Sequence, residues 1–204
     1  MIDLDLARQV FSCIDNTTLT ATDNEARVES FCRHTLEFSP LRVAAVCVYP
    51  LFVATAAKAL AGTGIRVASV ESCFPHGQQP LEERVESVKN IVLHGADEVD
   101  MVINRGYVLC GDYRHVEEEV SAIKKACGGK TLKVILETCE LTADQISRAS
   151  EAAICSGADF IKTSTGKGAA GATLEAAEIM LNCIKGNVKF NKIPVGFKAA
   201  GGIR

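Results

Sequence analysis

The chain has 204 residues, of which 48% are apolar and 23% charged, with a formal net charge of −3. That is the composition of a globular domain with a sizeable core. It excludes a broad basic surface for nucleic acid, and no apolar stretch approaches the ~20 residues a membrane helix needs.

Met1 is followed by Ile-Asp-Leu-Asp, so no basic and apolar leader is expected. Two helical segments, Leu4–Ser12 and Asn24–Leu36, open the chain. Short apolar runs then alternate with amphipathic stretches. In order they are Arg42–Val48, the helical Phe52–Leu60, Ile65–Val70, the helical Leu81–Leu93, Glu98–Ile103 and the helical Val116–Ala126. Then follow Leu132–Leu136, the helical Ala143–Ile154, Asp159–Lys162, the helical Leu174–Ile184 and Pro194–Lys198. The apolar runs are near-continuous and β-branched, as strands covered on both faces should be. The helical stretches carry apolar residues at three- and four-residue spacing, Val85, Val88, Ile91 and Val92 for example.

Thr142, before Ala-Asp-Gln, suits a helix N-cap. Gly95 and Gly157 each close a helix and are followed by Ala-Asp and a strand, a weak internal repeat of one βα unit. Alternation of this kind predicts a parallel sheet with right-handed crossovers. Its spacing suits an open doubly wound sheet or a (β/α)8 barrel. Six strands are counted, so a barrel would lack its last two units.

Nine cysteines, none in a C-x-x-C pair, sit mostly inside apolar runs. They read as buried, reduced thiols, which implies the cytoplasm. No Cys/His spacing suggests structural zinc.

In parallel barrels, working residues sit at the C-terminal ends of strands. Lys162 ends the fifth run and shares a strand face with Phe160. A buried lysine resists its charge, and a neutral amine attacks carbonyls; the alternative is a strand-end lysine reaching to water. Lys198 ends the sixth run at equivalent depth, and two ammonium groups facing each other across a barrel mouth favour loss of one proton. Asp100 lies between apolar residues of the third run, where it either moves protons through a water or forms a structural ion pair with one of those lysines. The fourth run puts Lys133 and Glu137 on one face with Ile135. A structural pair is the default there, and Lys133 is carried as a substrate-binding candidate. Ser164-Thr165-Gly166-Lys167 and Gly201-Gly202 suit a phosphate, the second by opening a helix.

Taken together, these segments resemble the deoxyribose-phosphate aldolase family. The matching stretches are Ile14-Asp15-Asn16-Thr17, Val46–Pro50, Phe74-Pro75-His76-Gly77, Gly95–Val102, Leu132–Ile135, Ala158–Lys167 and Val195–Arg204. The resemblance implies an α/β fold of the (β/α)8 TIM-barrel type. It further implies reversible cleavage of 2-deoxy-D-ribose 5-phosphate to glyceraldehyde 3-phosphate and acetaldehyde, with no cofactor and no metal. By the same resemblance Lys162 is the Schiff-base lysine, Lys198 lowers its pKa, and Asp100 is the acid–base carboxylate. Thr165, Gly166, Lys167, Gly201 and Gly202 match the phosphate region, while Asp15, Thr17 and Cys47 line the pocket. Asn16 stands where histidine is usual and Ala199 where proline is common. The expected partner is a small phosphorylated sugar, not nucleic acid or membrane, with a homodimer as the assembly. Two other readings stay open: a non-catalytic phosphosugar-binding remnant, and a Schiff-base aldolase for another aldehyde pair.

Overall fold

A computed structural model describes residues 3–191 and 194–203; Met1, Ile2 and Arg204, used in the sequence reading, lie outside them. The chain divides into two compact units. One comprises residues 1–70 with 90–99, the other 71–89 with 100–204.

The first unit opens with α1 (Leu4–Ser12), whose first turn is capped by the Asp3 carboxylate. Strand β1 (Asp15–Thr17) follows, then α2 (Glu25–Leu36), with Asn24 accepting from the Arg27 N–H. Next come β2 (Ala45–Val48), α3 (Val53–Ala59) and β3 (Arg66–Glu71), the last entering the second unit at Glu71. Strands β1, β2 and β3 pair in parallel, with Thr17 level with Cys47 and Cys47 level with Ala68. All four residues of β2 are buried, so both faces are covered and the apolar run needs no alternation.

Helix α4 (Leu81–Leu93) and strand β4 (Glu98–Val102) each cross from one unit to the other. The second unit continues with α5 (Arg105–Leu109), α6 (Tyr113–Ala126), β5 (Thr131–Ile135), α7 (Ala143–Cys155), β6 (Phe160–Lys162), α8 (Leu174–Asn191) and β7 (Gly196–Lys198). In each unit strand order follows chain order, and β5, β6 and β7 are parallel. Helix α6 packs on α7, and α7 on α8. Met101, Ile123, Leu132, Ile135, Ile154, Ile161 and Met180 are fully buried, each such side chain contributing roughly 1.5–3 kcal/mol.

The described residues hold seven strands rather than six; the addition is β1, three residues long. Helix α5 is a second element outside the expected set, started by Asn104 accepting from the Gly106 N–H. Thr142 forms a full capping box with Gln145. The glycine repeat is structural as well. Gly95 and Gly157 both have positive φ, at 106° and 99°. After each, the aspartate donates its N–H to the preceding strand and accepts an N–H from the same residue: Asp97 with Val67, Asp159 with Leu132.

Candidate active site

The register of the second unit's sheet sets the site. Ile135, Lys162 and Lys198 lie level across β5, β6 and β7, and Lys133, Phe160 and Gly196 lie level one pair earlier. Strand alternation points all six toward one face. The two lysines are therefore in-register neighbours on adjacent strands rather than groups facing each other across a mouth. A Cβ on Gly196 would sit 2.2 Å from the Phe160 ring, so glycine there gives the aromatic its space.

Asp100 of β4 is completely buried. Its Oδ2 accepts a 2.6 Å hydrogen bond from Lys162 Nζ, and its Oδ1 lies 3.1 Å from Lys133 Nζ. Lys162 thus forms the expected ion pair with Asp100, and Lys133 stands on the other carboxylate oxygen. Burial alone pushes the Asp100 pKa up, but the Lys133 and Lys162 cations outweigh it and hold the carboxyl at about 2. One buried anion lies between two amines, so a single ammonium already neutralises it. A second, with Lys198 on the next strand, adds uncompensated charge. Lys133 is 2% exposed and Lys162 9%, so Lys162 is the less deeply buried of the two.

The expected pairing of Lys133 with Glu137 does not form. Strand β5 ends at Ile135, and Glu137 adopts a left-handed backbone (φ 58°), which breaks the two-residue alternation. Glu137 is 1% exposed and accepts from Thr165 instead, through both the backbone N–H and the hydroxyl.

Thr165 begins the loop expected to meet phosphate. Its Oγ1 accepts the Lys167 N–H at 3.0 Å while its proton goes to Glu137. The hydroxyl therefore has no proton left for a substrate oxygen, and Thr165 shapes the loop. Gly166 and Lys167 are exposed. Gly201 and Gly202, with φ of 82° and 78°, form a bend and open no helix among the described residues. Gly171 comes so close to Gly201 that a Cβ would lie 1.9 Å from its carbonyl oxygen. Further bonds join these loops, among them Ala172 N–H to Ala200 O and Ala200 N–H to Thr163 Oγ1.

The remaining candidates belong to the first unit. Asp15 is half-buried, Thr17 is exposed with its hydroxyl on the Asp15 carbonyl, and Cys47 is 1% exposed. Asn16, in the usual histidine position, donates to Thr35 Oγ1 at 2.8 Å.

One buried group, Arg84, is not evident from the sequence, and a second, Glu137, has a different partner from the one expected. Arg84, 2% exposed on α4, donates to Ser72 Oγ, the Gly77 and Val102 carbonyls, and Glu119. It hid among the charges of Leu-Glu-Glu-Arg. Glu137 was visible as a polar residue ending an apolar run, but periodicity assigned it the wrong partner.

The family model of the DeoC/LacD family aldolases matches residues 10–204. The Homo sapiens deoxyribose-phosphate aldolase is 41% identical over 94% of this chain and 65% of its own length, so this chain spans about two thirds of that relative. The Streptococcus mutans deoxyribose-phosphate aldolase is 41% identical over 94% of this chain and 82% of its own. A solved structure described as QR15, an aldolase, superposes with a TM-score of 0.85 at 34% identity, covering 96% of this chain and 82% of that one. Together with the parallel α/β architecture, these likenesses establish a fold of the TIM-barrel type. The chain belongs to the DeoC/LacD family of aldolases.

Proposed function

We propose that this protein is a Schiff-base lyase that reversibly cleaves 2-deoxy-D-ribose 5-phosphate to D-glyceraldehyde 3-phosphate and acetaldehyde. The observation that carries the reading is the short bond from Lys162 to the wholly buried Asp100. Once its ammonium has released a proton, the Lys162 amine adds to the C1 aldehyde, and loss of water leaves an iminium. That cation draws in the electron pair of the C2–C3 bond as the C3 hydroxyl gives up its proton. Glyceraldehyde 3-phosphate departs, and an enamine of acetaldehyde stays on Lys162. Protonation of its carbon and hydrolysis return the free amine. Asp100, ionised across neutral pH, is the base in these transfers, and Lys198 disfavours a second charge beside it. Gly166, Lys167, Gly201 and Gly202 are the proposed phosphate contacts, and Asp15, Thr17, Cys47 and Lys133 the remaining substrate-side residues.

A homodimer belongs to this reading, supported by Leu4, Leu6 and Val10 of α1, each more than half exposed. So does the cytoplasm, supported by nine unbridged cysteines, although only Cys32, Cys47 and Cys127 are buried and the expectation of mostly buried thiols does not hold. Among the described residues, no helix is long and apolar enough to cross a membrane.

The experiment is borohydride reduction in the presence of acetaldehyde, read by peptide mass. An adduct is expected on Lys162 and none in Lys162→Leu. A folded sample that forms no adduct sinks the proposal and favours the non-catalytic remnant. Products other than acetaldehyde and glyceraldehyde 3-phosphate would point to a different aldehyde pair.

A further inference from the structure

Glu137 is an unexpected residue to bury. A carboxylate 1% exposed is costly unless its oxygens are well satisfied. Its backbone, at φ 58° and ψ 61°, is one that residues with a Cβ rarely adopt. Among the described residues, its hydrogen-bond donors are the Thr165 N–H, the Thr165 hydroxyl and the Cys139 thiol, and none is a cation. A charged group in a strained conformation, satisfied chiefly by one loop residue and otherwise by a thiol, adds little to the core. Its effect falls on the loop.

That effect is directional. A carboxylate can only accept, so the Thr165 hydroxyl must turn its proton toward Glu137. Its lone pairs then face the other way, where one takes the Lys167 N–H at 3.0 Å. The backbone of Lys167 is thus tied through one hydroxyl to a buried anion. Gly168 rests on the same carboxylate: a Cβ there would meet Glu137 Cδ at 3.1 Å and Cys139 Sγ at 3.3 Å. Residues 165–168 are held on both sides of the exposed Gly166–Lys167 pair.

We infer that Glu137 is a positioning residue for phosphate recognition: acting through Thr165, it fixes the Gly166–Lys167 segment that receives the substrate phosphate, and so selects phosphorylated over unphosphorylated sugars. The inference rests on the phosphate assignment proposed above. Glu137 itself touches neither the phosphate nor the reacting carbons. A preformed loop spares the ordering cost at binding, so the gain is confined to substrates that carry a phosphate.

The test compares Glu137→Leu, Glu137→Gln, Thr165→Val and Thr165→Ser on 2-deoxyribose 5-phosphate and on 2-deoxyribose. Glu137→Leu and Thr165→Val are expected to raise KM for the phosphorylated sugar about tenfold, with kcat changed less than about threefold, as loss of a charge-assisted bond implies. For 2-deoxyribose, kcat/KM falls no more than about twofold. Glu137→Gln keeps an accepting oxygen and Thr165→Ser keeps the hydroxyl, so each recovers most of the loss. A parallel fall on both sugars, or an unchanged KM for the phosphorylated one, overturns the inference. Should Glu137→Leu fail to fold, the Thr165 pair decides. Calorimetric titration with inorganic phosphate separates this idea from the aldolase reading. Phosphate binding weakened by Thr165→Val supports it even if no Schiff base forms at Lys162, and no detectable phosphate binding by the unaltered protein refutes it.

Discussion

Ser164 is wholly buried two residues beyond the proposed nucleophile, and its hydroxyl meets no hydrogen-bond partner among the described residues. Its Cβ would lie 3.4 Å from one built on Gly201, so the packing around it is close. A hydroxyl desolvated without a partner costs on the order of 1–3 kcal/mol. Ser164→Ala removes that cost with a very small change in volume. It is expected to raise stability by about 1 kcal/mol, read as a higher urea midpoint at unchanged slope. A loss of similar size would mean the hydroxyl is engaged in solution. At this scale Lys162, Lys198 and Asp100 were legible because each is a polar residue inside or ending an apolar run. The partners of Lys133 and Glu137 were not. Pairing them assumed alternation through residue 137, while the backbone leaves the strand after Ile135 and turns left-handed. No residue type announces that turn, because the position holds glutamate rather than glycine.

Between elements, the approach of β6 and β7 depends on Gly196. Its absent side chain leaves room for the Phe160 ring, which would otherwise stand 2.2 Å from a Cβ. Gly196→Ala forces the ring or the strand aside and should cost about 1–3 kcal/mol. Phe160→Val removes the obstruction, so the double variant should be less destabilised than the sum of the two single changes. A thermal-melt cycle with strictly additive effects would rule the contact out. Among the helices, α1 and α4 have the bounds their apolar spacing gave and Thr142 caps α7 as expected, whereas α2 starts one residue later, with Asn24 as its cap, and α8 runs to Asn191 rather than Ile184. Strand β1 was missed because its three residues, Asp15, Asn16 and Thr17, are all polar and carry no apolar periodicity. Helix α5 was missed because five residues with Gly106 among them have little propensity, and its Arg105 is instead tied to the Pro75 carbonyl and Glu140. Both elements exist through tertiary contacts that a local pattern does not contain.

For the whole molecule, the buried carboxyls set a stability profile whose two halves have opposite sign. Burial raises the Glu71 and Glu119 pKa values, and for Glu119 it does so despite the Arg84 guanidinium beside it. An acid whose folded pKa is raised binds its proton earlier in the native state. As pH falls toward the ordinary value near 4.5, these two groups therefore strengthen folding. Asp100 behaves in the reverse way. Its folded pKa of about 2 lies below the unfolded value, so its contribution is complete above pH ~4 and is lost as pH falls from there through 2. That contribution is on the order of 2 kcal/mol. Stability should thus hold steady or rise between pH 7 and 4.5, then drop between 4 and 2. Urea denaturation at pH 7, 5, 4 and 3 reads the profile. Asp100→Asn is expected to be less stable at pH 7, because it leaves two buried amines without their anion. It should also show a shallower acid drop, since the group that titrates there is gone. An acid limb equally steep in both proteins would place the titration elsewhere. It would also remove the charge balance on which a reactive Lys162 depends.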